Sequence, residues 1–281
     1  MRMAVVLAVV ACGGGRSPSV AELAHGAWSA PIEPFRIVGN LYYVGAQNIA
    51  SYLVATRDGL ILVDTGSPEM IPVVRANIEK LGFHVQDVKI LLSGHAHWDH
   101  VGGHAAMQRA SGAQVMALGD DAVALERGTD LSPSASDGWE PVHVDRVLHD
   151  GDTVELGGTT LQAIWAPGHT PGCTVWTGQV SEDARSYRIA FFACMEPGGD
   201  VKLVDRPALV EQTRATFRKL RGLAPDFALL VHPAEQLEGK LAQLHAGTRP
   251  SPLYDPRAWG RFLDESERDL EQRATGSAKA R

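Results

Sequence analysis

The stretch Ser93-Gly94-His95-Ala96-His97-Trp98-Asp99-His100-Val101-Gly102-Gly103-His104 carries four of the chain's 11 histidines and follows directly on the apolar run Lys89 to Leu92. Alternate residues of an extended chain share a side, so His95, His97 and Asp99 face one cavity while Ala96 and Trp98 turn away into packing. His100 breaks the alternation. A turn at that point lets it reach a second centre beside the first, and Gly102-Gly103 then allow a helix to start without Cβ crowding. A plain His-rich turn is a poor account of this stretch. Three imidazoles and a carboxylate crowded together repel one another when protonated and lack donors for one another when neutral. Metal cations remove both difficulties.

Four side chains from one loop do not close two tetrahedral sites, so further ligands are expected at other strand ends. His169 lies in Ala166-Pro167-Gly168-His169-Thr170-Pro171-Gly172, a loop stiffened by proline and glycine on both sides. His232 follows Leu229-Leu230-Val231 and precedes Pro233, again at a strand terminus. His25, His84, His143, His149 and His245 have no such setting and read as surface or packing residues; His104 is expected to face away from the cluster.

Around this stretch, short runs bounded by Gly, Asp and Asn read as antiparallel strands: Leu41 to Val44, Tyr52 to Ala55 and Leu60 to Val63. After Ser67-Pro68, the stripe Met70, Val73, Val74, Asn77, Ile78 and Leu81 reads as a helix ended by Gly82. Helices are expected near His104 to Ala110 and Asp120 to Glu126, then a polar loop from Gly128 to Gly138. The second half repeats the style with strands Thr153 to Leu156 and Thr159 to Ala166, a helix Leu209 to Leu220, a strand Phe227 to Val231, and helical stripes near Leu237 and Phe262. Without strict alternation of strand and helix, two sheets covered by helices are favoured over a doubly wound parallel fold.

Cys173 opens the run to Thr177 and Cys194 closes Tyr187 to Cys194, with a polar stretch from Gly178 to Ser186 between them. A hairpin here sets the two cysteines opposite each other, either joined in a disulfide or as two small buried thiols. The start, Met1-Arg2 and then Met3 to Val10, is too apolar for an exposed end and too short to span a bilayer. It reads as a secretory signal over 1–12. Val9-Val10-Ala11-Cys12 before three glycines resembles a bacterial lipoprotein signal, in which Cys12 is acylated and anchors the protein to a membrane, placing it in the periplasm. With Lys+Arg 26 against Asp+Glu 33, the net charge of −7 leaves no basic excess for a nucleic-acid partner. A linker over 13–33, one domain over 34–275 and a tail over 276–281 complete the division, and a monomer is expected.

The string His95-x-His97-x-Asp99-His100, with His169 in a Pro-Gly-His-Thr loop and His232 before Pro233, resembles the metallo-β-lactamase superfamily, and within it the chain is most similar to subclass B3. Leu41 to Gly45, Leu60 to Gly66, Val147 to Asp152, Gly168 to Trp176 and Pro252 to Pro256 carry the likeness further. The resemblance implies an α/β fold, an αββα sandwich of two mixed sheets, with the site at one edge. It implies two Zn2+, one held by His95, His97 and His169 and the other by Asp99, His100 and His232. It further implies a hydrolase that opens the β-lactam ring of small-molecule antibiotics with hydroxide generated at the metals, Asp99 serving as the catalytic carboxylate. Glyoxalase-type relatives bridge their metals with an Asp from the strand that here ends Phe192-Ala193-Cys194-Met195, and no Asp occurs before Asp200.

Where subclass B3 commonly carries a serine at the end of that strand and again two residues on, this chain has Met195-Glu196-Pro197. An acidic Glu196 would repel a substrate carboxylate or ligate the metal itself, unless it points to solvent. Trp28 and Trp139 are expected as apolar rims for substrate. Two rivals remain open at this level: a related metallo-hydrolase acting on a lactone or thioester, and a metal-binding module without catalysis.

Overall fold

The structure is a computed structural model and describes residue 26 and residues 28–134, 138–192 and 196–276. Strands β1 (Phe35–Val38), β2 (Leu41–Tyr43), β3 (Tyr52–Thr56), β4 (Gly59–Val63), β5 (Val88–Leu92), β6 (Gln114–Leu118) and β7 (Arg146–Leu148) form one sheet in chain order. Its first four strands are antiparallel and its last four parallel. The second sheet runs β12 (Phe227–Leu230), β11 (Arg185–Phe192), β10 (Thr174–Glu182), β9 (Thr159–Trp165) and β8 (Thr153–Leu156), antiparallel except for the β11–β12 pair.

The inner faces of the two sheets share one core in which Tyr43, Tyr52, Ile61 and Leu92 meet Leu161, Trp176, Phe191 and Phe227. A second core lies under α1 (Ile71–Lys80), α2 (Trp98–Val101), α3 (His104–Ser111) and α4 (Gly119–Arg127), where Val74, Ile78, Met107 and Leu125 cover the outer face of the first sheet. The third lies under α5 (Pro207–Leu220) and the C-terminal helix Ala258–Ala274, where Phe217, Trp259 and Leu263 pack on Ala190 and Ala228. The result is the expected αββα sandwich, because each sheet has an apolar inner face and an apolar outer stripe to cover.

Two local expectations need correction. The hairpin's connection is shorter than the polar stretch from Gly178 to Ser186 expected between its two runs: β10 and β11 extend through it, pairing Gly178 with Ile189 and Glu182 with Arg185, and turn at Asp183-Ala184. Val180 still enters the core there, while polar side chains at the solvated positions around it continue the strands. Trp139 is not a rim residue. It is 7% exposed, packed with Leu125, Val142 and Val144 in the second core.

Cys12, Cys194 and Met195 lie outside the described residues, as does the 1–12 signal reading. Cys173 is buried at the start of the hairpin. Residues 28–33 lie against the domain: the Trp28 carbonyl accepts from Asn48 N–H, and Pro31 bridges to Ala46. Among the described residues no helix is long and apolar enough to cross a membrane.

Candidate metal centre

Four strands end at the same edge of the sandwich: β4 before Asp64, β5 before residues 93–97, β9 before the 166–172 loop, and β12 two residues before His232. Short hydrogen bonds tie these ends together. Trp176 Nε1–H donates to the Ser93 carbonyl at 2.9 Å and Thr174 N–H to the Gly94 carbonyl at 2.7 Å, fixing the second sheet to the first ligand loop. Tyr52 Oη–H donates to the Leu230 carbonyl at 2.5 Å and Ala50 N–H to Val231, fixing the first sheet beside His232.

The edge gathers two triads. His95, His97 and His169 each offer one nitrogen to a common point, and Asp99, His100 and His232 do the same, all ligand atoms of a triad lying within 4.8 Å of one another. The rings of His95 and His100, one from each triad, are 4.2 Å apart. Ala96 and Trp98 turn away into the second core as expected. Asp99 does not continue the extended alternation, however. It sits on the short helix α2 beside His100, which moves it from the side of His95 and His97 to that of His232.

The second triad has the dimensions of one face of a tetrahedral shell. His100 Nε2 is 3.2 Å from Asp99 Oδ2 and 3.3 Å from His232 Nε2, and His232 Nε2 is 3.5 Å from Asp99 Oδ2. Nitrogen and oxygen ligands at zinc distances of about 2.0–2.1 Å would be separated by about 3.3–3.4 Å along a tetrahedral edge.

The outer nitrogens of His97, His169 and His232 are hydrogen-bonded in a way that aims the inner ones. His169 Nδ1 hydrogen-bonds the Glu196 carbonyl at 2.7 Å, and His232 Nδ1 the Asn48 carbonyl at 2.8 Å. His97 Nε2 meets Ser132 Oγ at 3.1 Å and Asp130 Oδ2 at 3.4 Å, and Ser132 is itself held by Asp130. His100 Nδ1 faces Asp64 Oδ2 at 3.5 Å. Carboxylate and carbonyl partners of this kind fix the tautomer and orientation of a metal-binding imidazole. Only the main-chain oxygen of Glu196 enters this set, and the residue belongs to neither triad. Asp64 pays for its place with a left-handed backbone, φ 59°, a conformation Asp tolerates better than most residues, and its Oδ1 accepts Gly94 N–H at 2.8 Å.

Electrostatics favour a cation. Burial, then the neighbouring imidazoles, drives His95 well below the usual histidine range, and burial followed by His97 pushes His169 down to about 3. His97 and His232 are lowered by burial as well. These are neutral bases with lone pairs aimed inward. His95 is 1% exposed, and neither of its ring nitrogens has a hydrogen-bond partner among the described residues. Burial acts against the charged forms of His100 and Asp99, yet the carboxylates of Asp99 and Asp64 raise His100 to about 10, and His100 and its neighbours hold Asp99 well below the usual carboxylate range. An orphaned buried imidazole, converging neutral bases and an ionised carboxylate make a donor set that fits a metal at each triad.

Trp28 stands at the mouth, its ring centroid 5.4 Å from that of His232 and its side chain partly exposed. His104 is not at the surface. It is fully buried behind the site, sharing a 2.8 Å hydrogen bond between its Nδ1 and Thr65 Oγ1. Asp64, Asp130, Ser132 and Asn48 were not singled out from the sequence as parts of a site, and only Asp64, just past an apolar strand, stood where a signal could have found it.

The protein-family model for the metallo-beta-lactamase superfamily matches residues 44–232. Among solved structures, the native FEZ-1 metallo-beta-lactamase of Legionella gormanii is 33% identical with a TM-score of 0.81, the match covering 88% of this chain and 98% of that one. BJP-1, a subclass B3 metallo-beta-lactamase of Bradyrhizobium japonicum, is 34% identical with a TM-score of 0.80 and coverages of 90% and 97%. Among curated proteins, a hydroxyacylglutathione hydrolase of Anaeromyxobacter dehalogenans is 29% identical over 76% of this chain and 80% of its own length. By its sequence match, its fold and its paired triads, the chain belongs to the metallo-beta-lactamase superfamily.

Proposed function

We propose that the protein is a di-zinc hydrolase of subclass B3 type that opens the β-lactam ring. The observation that carries this reading is the complete pair of triads, three imidazoles on one side and Asp99, His100 and His232 on the other, in a chain similar over nearly its whole folded length to lactamases of that subclass. Bound zinc would supply water acidified to neutral pH and a Lewis acid for the lactam carbonyl. His95, His97 and His169 would hold one ion, and Asp99, His100 and His232 the other. In net terms, water oxygen bonds to the carbonyl carbon, the strained C–N bond breaks, and nitrogen receives a proton. The Asp99 carboxylate is the group placed to orient the water and pass that proton, since it is ionised and its side chain is 20% exposed. Trp28 supplies an apolar wall beside His232 against which a substrate can lie.

A thioester or lactone hydrolase is the second reading. The hydroxyacylglutathione hydrolase match favours it, as does a 25% match over 43% of the chain to an N-acyl homoserine lactonase of Bacillus thuringiensis. The lack of any Asp between Phe192 and Gly199 speaks against the glyoxalase form of it. Export, with Cys12 as the lipid anchor in the periplasm, is part of the proposal. Assaying the zinc-loaded protein on a chromogenic cephalosporin, a carbapenem, an acyl-homoserine lactone and a glutathione thioester separates the readings. Chelator-sensitive hydrolysis of the β-lactams is expected; turnover confined to the lactone or the thioester would overturn the proposal.

A further inference from the structure

One buried carboxylate ties together the two loops that carry the first triad. Asp121 lies in the first turn of α4 and is 2% exposed. Its Oδ2 accepts Ala96 N–H at 2.9 Å and Thr170 Oγ1–H at 2.7 Å, and its Oδ1 accepts Gly172 N–H at 2.8 Å. Ala96 is the residue between His95 and His97, and Thr170 is the residue after His169. The carboxylate therefore fixes the chain within one residue of all three imidazoles without touching any of them in a hydrogen bond. The fit is close: a Cβ on Gly172 would stand 2.3 Å from the Leu118 carbonyl oxygen and 2.5 Å from Asp121 N, so only glycine lets the loop approach this far.

We infer that Asp121 is a positioning residue for the first cation, setting the distance between the His95-Ala96-His97 segment and the His169 loop. The inference rests on the metal reading of the site and is independent of the choice of substrate. All three partners donate, so an ionised carboxylate satisfies them and an amide does not. Asn in its place keeps the volume and turns an N–H2 donor toward one of the three. Burial raises the Asp121 carboxyl to about 6 against the pull of these hydrogen bonds, which keeps it ionised at neutral pH.

Asp121→Asn and the milder Thr170→Val test this. Both are made in a His232→Ala background, which removes a ligand of the other triad so that titration reads the first site. Metal-free protein is titrated with Co2+ at pH 7.5 against a chromophoric chelator, recording affinity and the visible d–d spectrum, with the thermal midpoint of the metal-free form as a control for folding. Asp121→Asn is expected to weaken Co2+ binding about 10- to 100-fold and to alter the spectrum, and Thr170→Val to do the same by several-fold. A merely structural Asp121 would lower the thermal midpoint and leave affinity and spectrum alone. Thr170→Val carries the test should Asp121→Asn fail to fold. Unchanged affinity and spectrum in the folded variants overturn the inference alone. Failure of the parent to bind Co2+ overturns both it and the metal reading.

Discussion

Asp99 Oδ2 and His100 Nε2 lie 3.2 Å apart although the two residues are sequence neighbours, and His232, reached 132 residues after His100, completes their triangle. A one-turn helix sets this geometry, because in an extended chain neighbouring side chains would point to opposite faces. On the proposed reading the Asp99 carboxylate has two duties, holding a cation and moving a proton. Asp99→Ala is expected to lower kcat for β-lactam hydrolysis by about a hundredfold or more and to loosen the second zinc by about 10- to 100-fold. Zinc content after dialysis, read beside single-turnover kinetics, checks both; near-normal turnover would refute the assignment.

The Trp28 ring lies beside His232, with 5.4 Å between the ring centroids. Trp28→Ala should raise KM roughly several-fold, with kcat and zinc content little changed, since an apolar wall binds ground state and transition state alike. A fall in kcat at constant KM would assign it another role.

Behind the two triads, burial pushes the His104 imidazole down to about 4 from an ordinary 6.5. The unfolded chain then binds a proton that the folded chain refuses, so folding stability is complete above pH 6.5 and declines as pH falls toward 4. The loss attributable to His104 is on the order of 3 kcal/mol. Denaturant titrations between pH 7.5 and 4.5 on the protein and on His104→Asn should show a shallower pH slope in the variant, whatever its absolute stability. Equal slopes would show that His104 is not the acid-sensitive group.

Arg273, on the C-terminal helix, donates to the carbonyls of Pro197 at 2.8 Å, Gly198 at 2.6 Å and Val201 at 3.3 Å. It thereby holds the segment whose Glu196 carbonyl orients His169. Arg273→Ala is expected to destabilise the protein by about 1–3 kcal/mol and to speed amide exchange across 196–201. Lys cannot span three carbonyls from one planar head, so Arg273→Lys should restore little of the protection. Exchange rates in this segment that match the parent in both variants would contradict the clamp.

The six candidate ligands were legible in the sequence because crowding His95, His97, Asp99 and His100 into one short stretch calls for a cation, and because His169 and His232 sit at strand ends beside Gly and Pro. Their supports were not. Asp130 and Ser132 come from a loop that read only as polar, and Asn48 acts through a carbonyl that any residue would offer across 184 positions of chain. Trp139 was misplaced for a related reason, since an aromatic at a loop end fits a rim and a core equally well until the packing of Leu125 and Val142 is known. The strand ends through 178–186 were hidden because Val180 is the one residue there that enters the core, too little to show apolar alternation.

Anomalous diffraction at the zinc edge, from crystals grown with zinc, tests the central claim most directly. Two peaks per chain are expected, one enclosed by His95, His97 and His169 and the other by Asp99, His100 and His232. A single peak, or zinc bound away from either triad, would contradict the account.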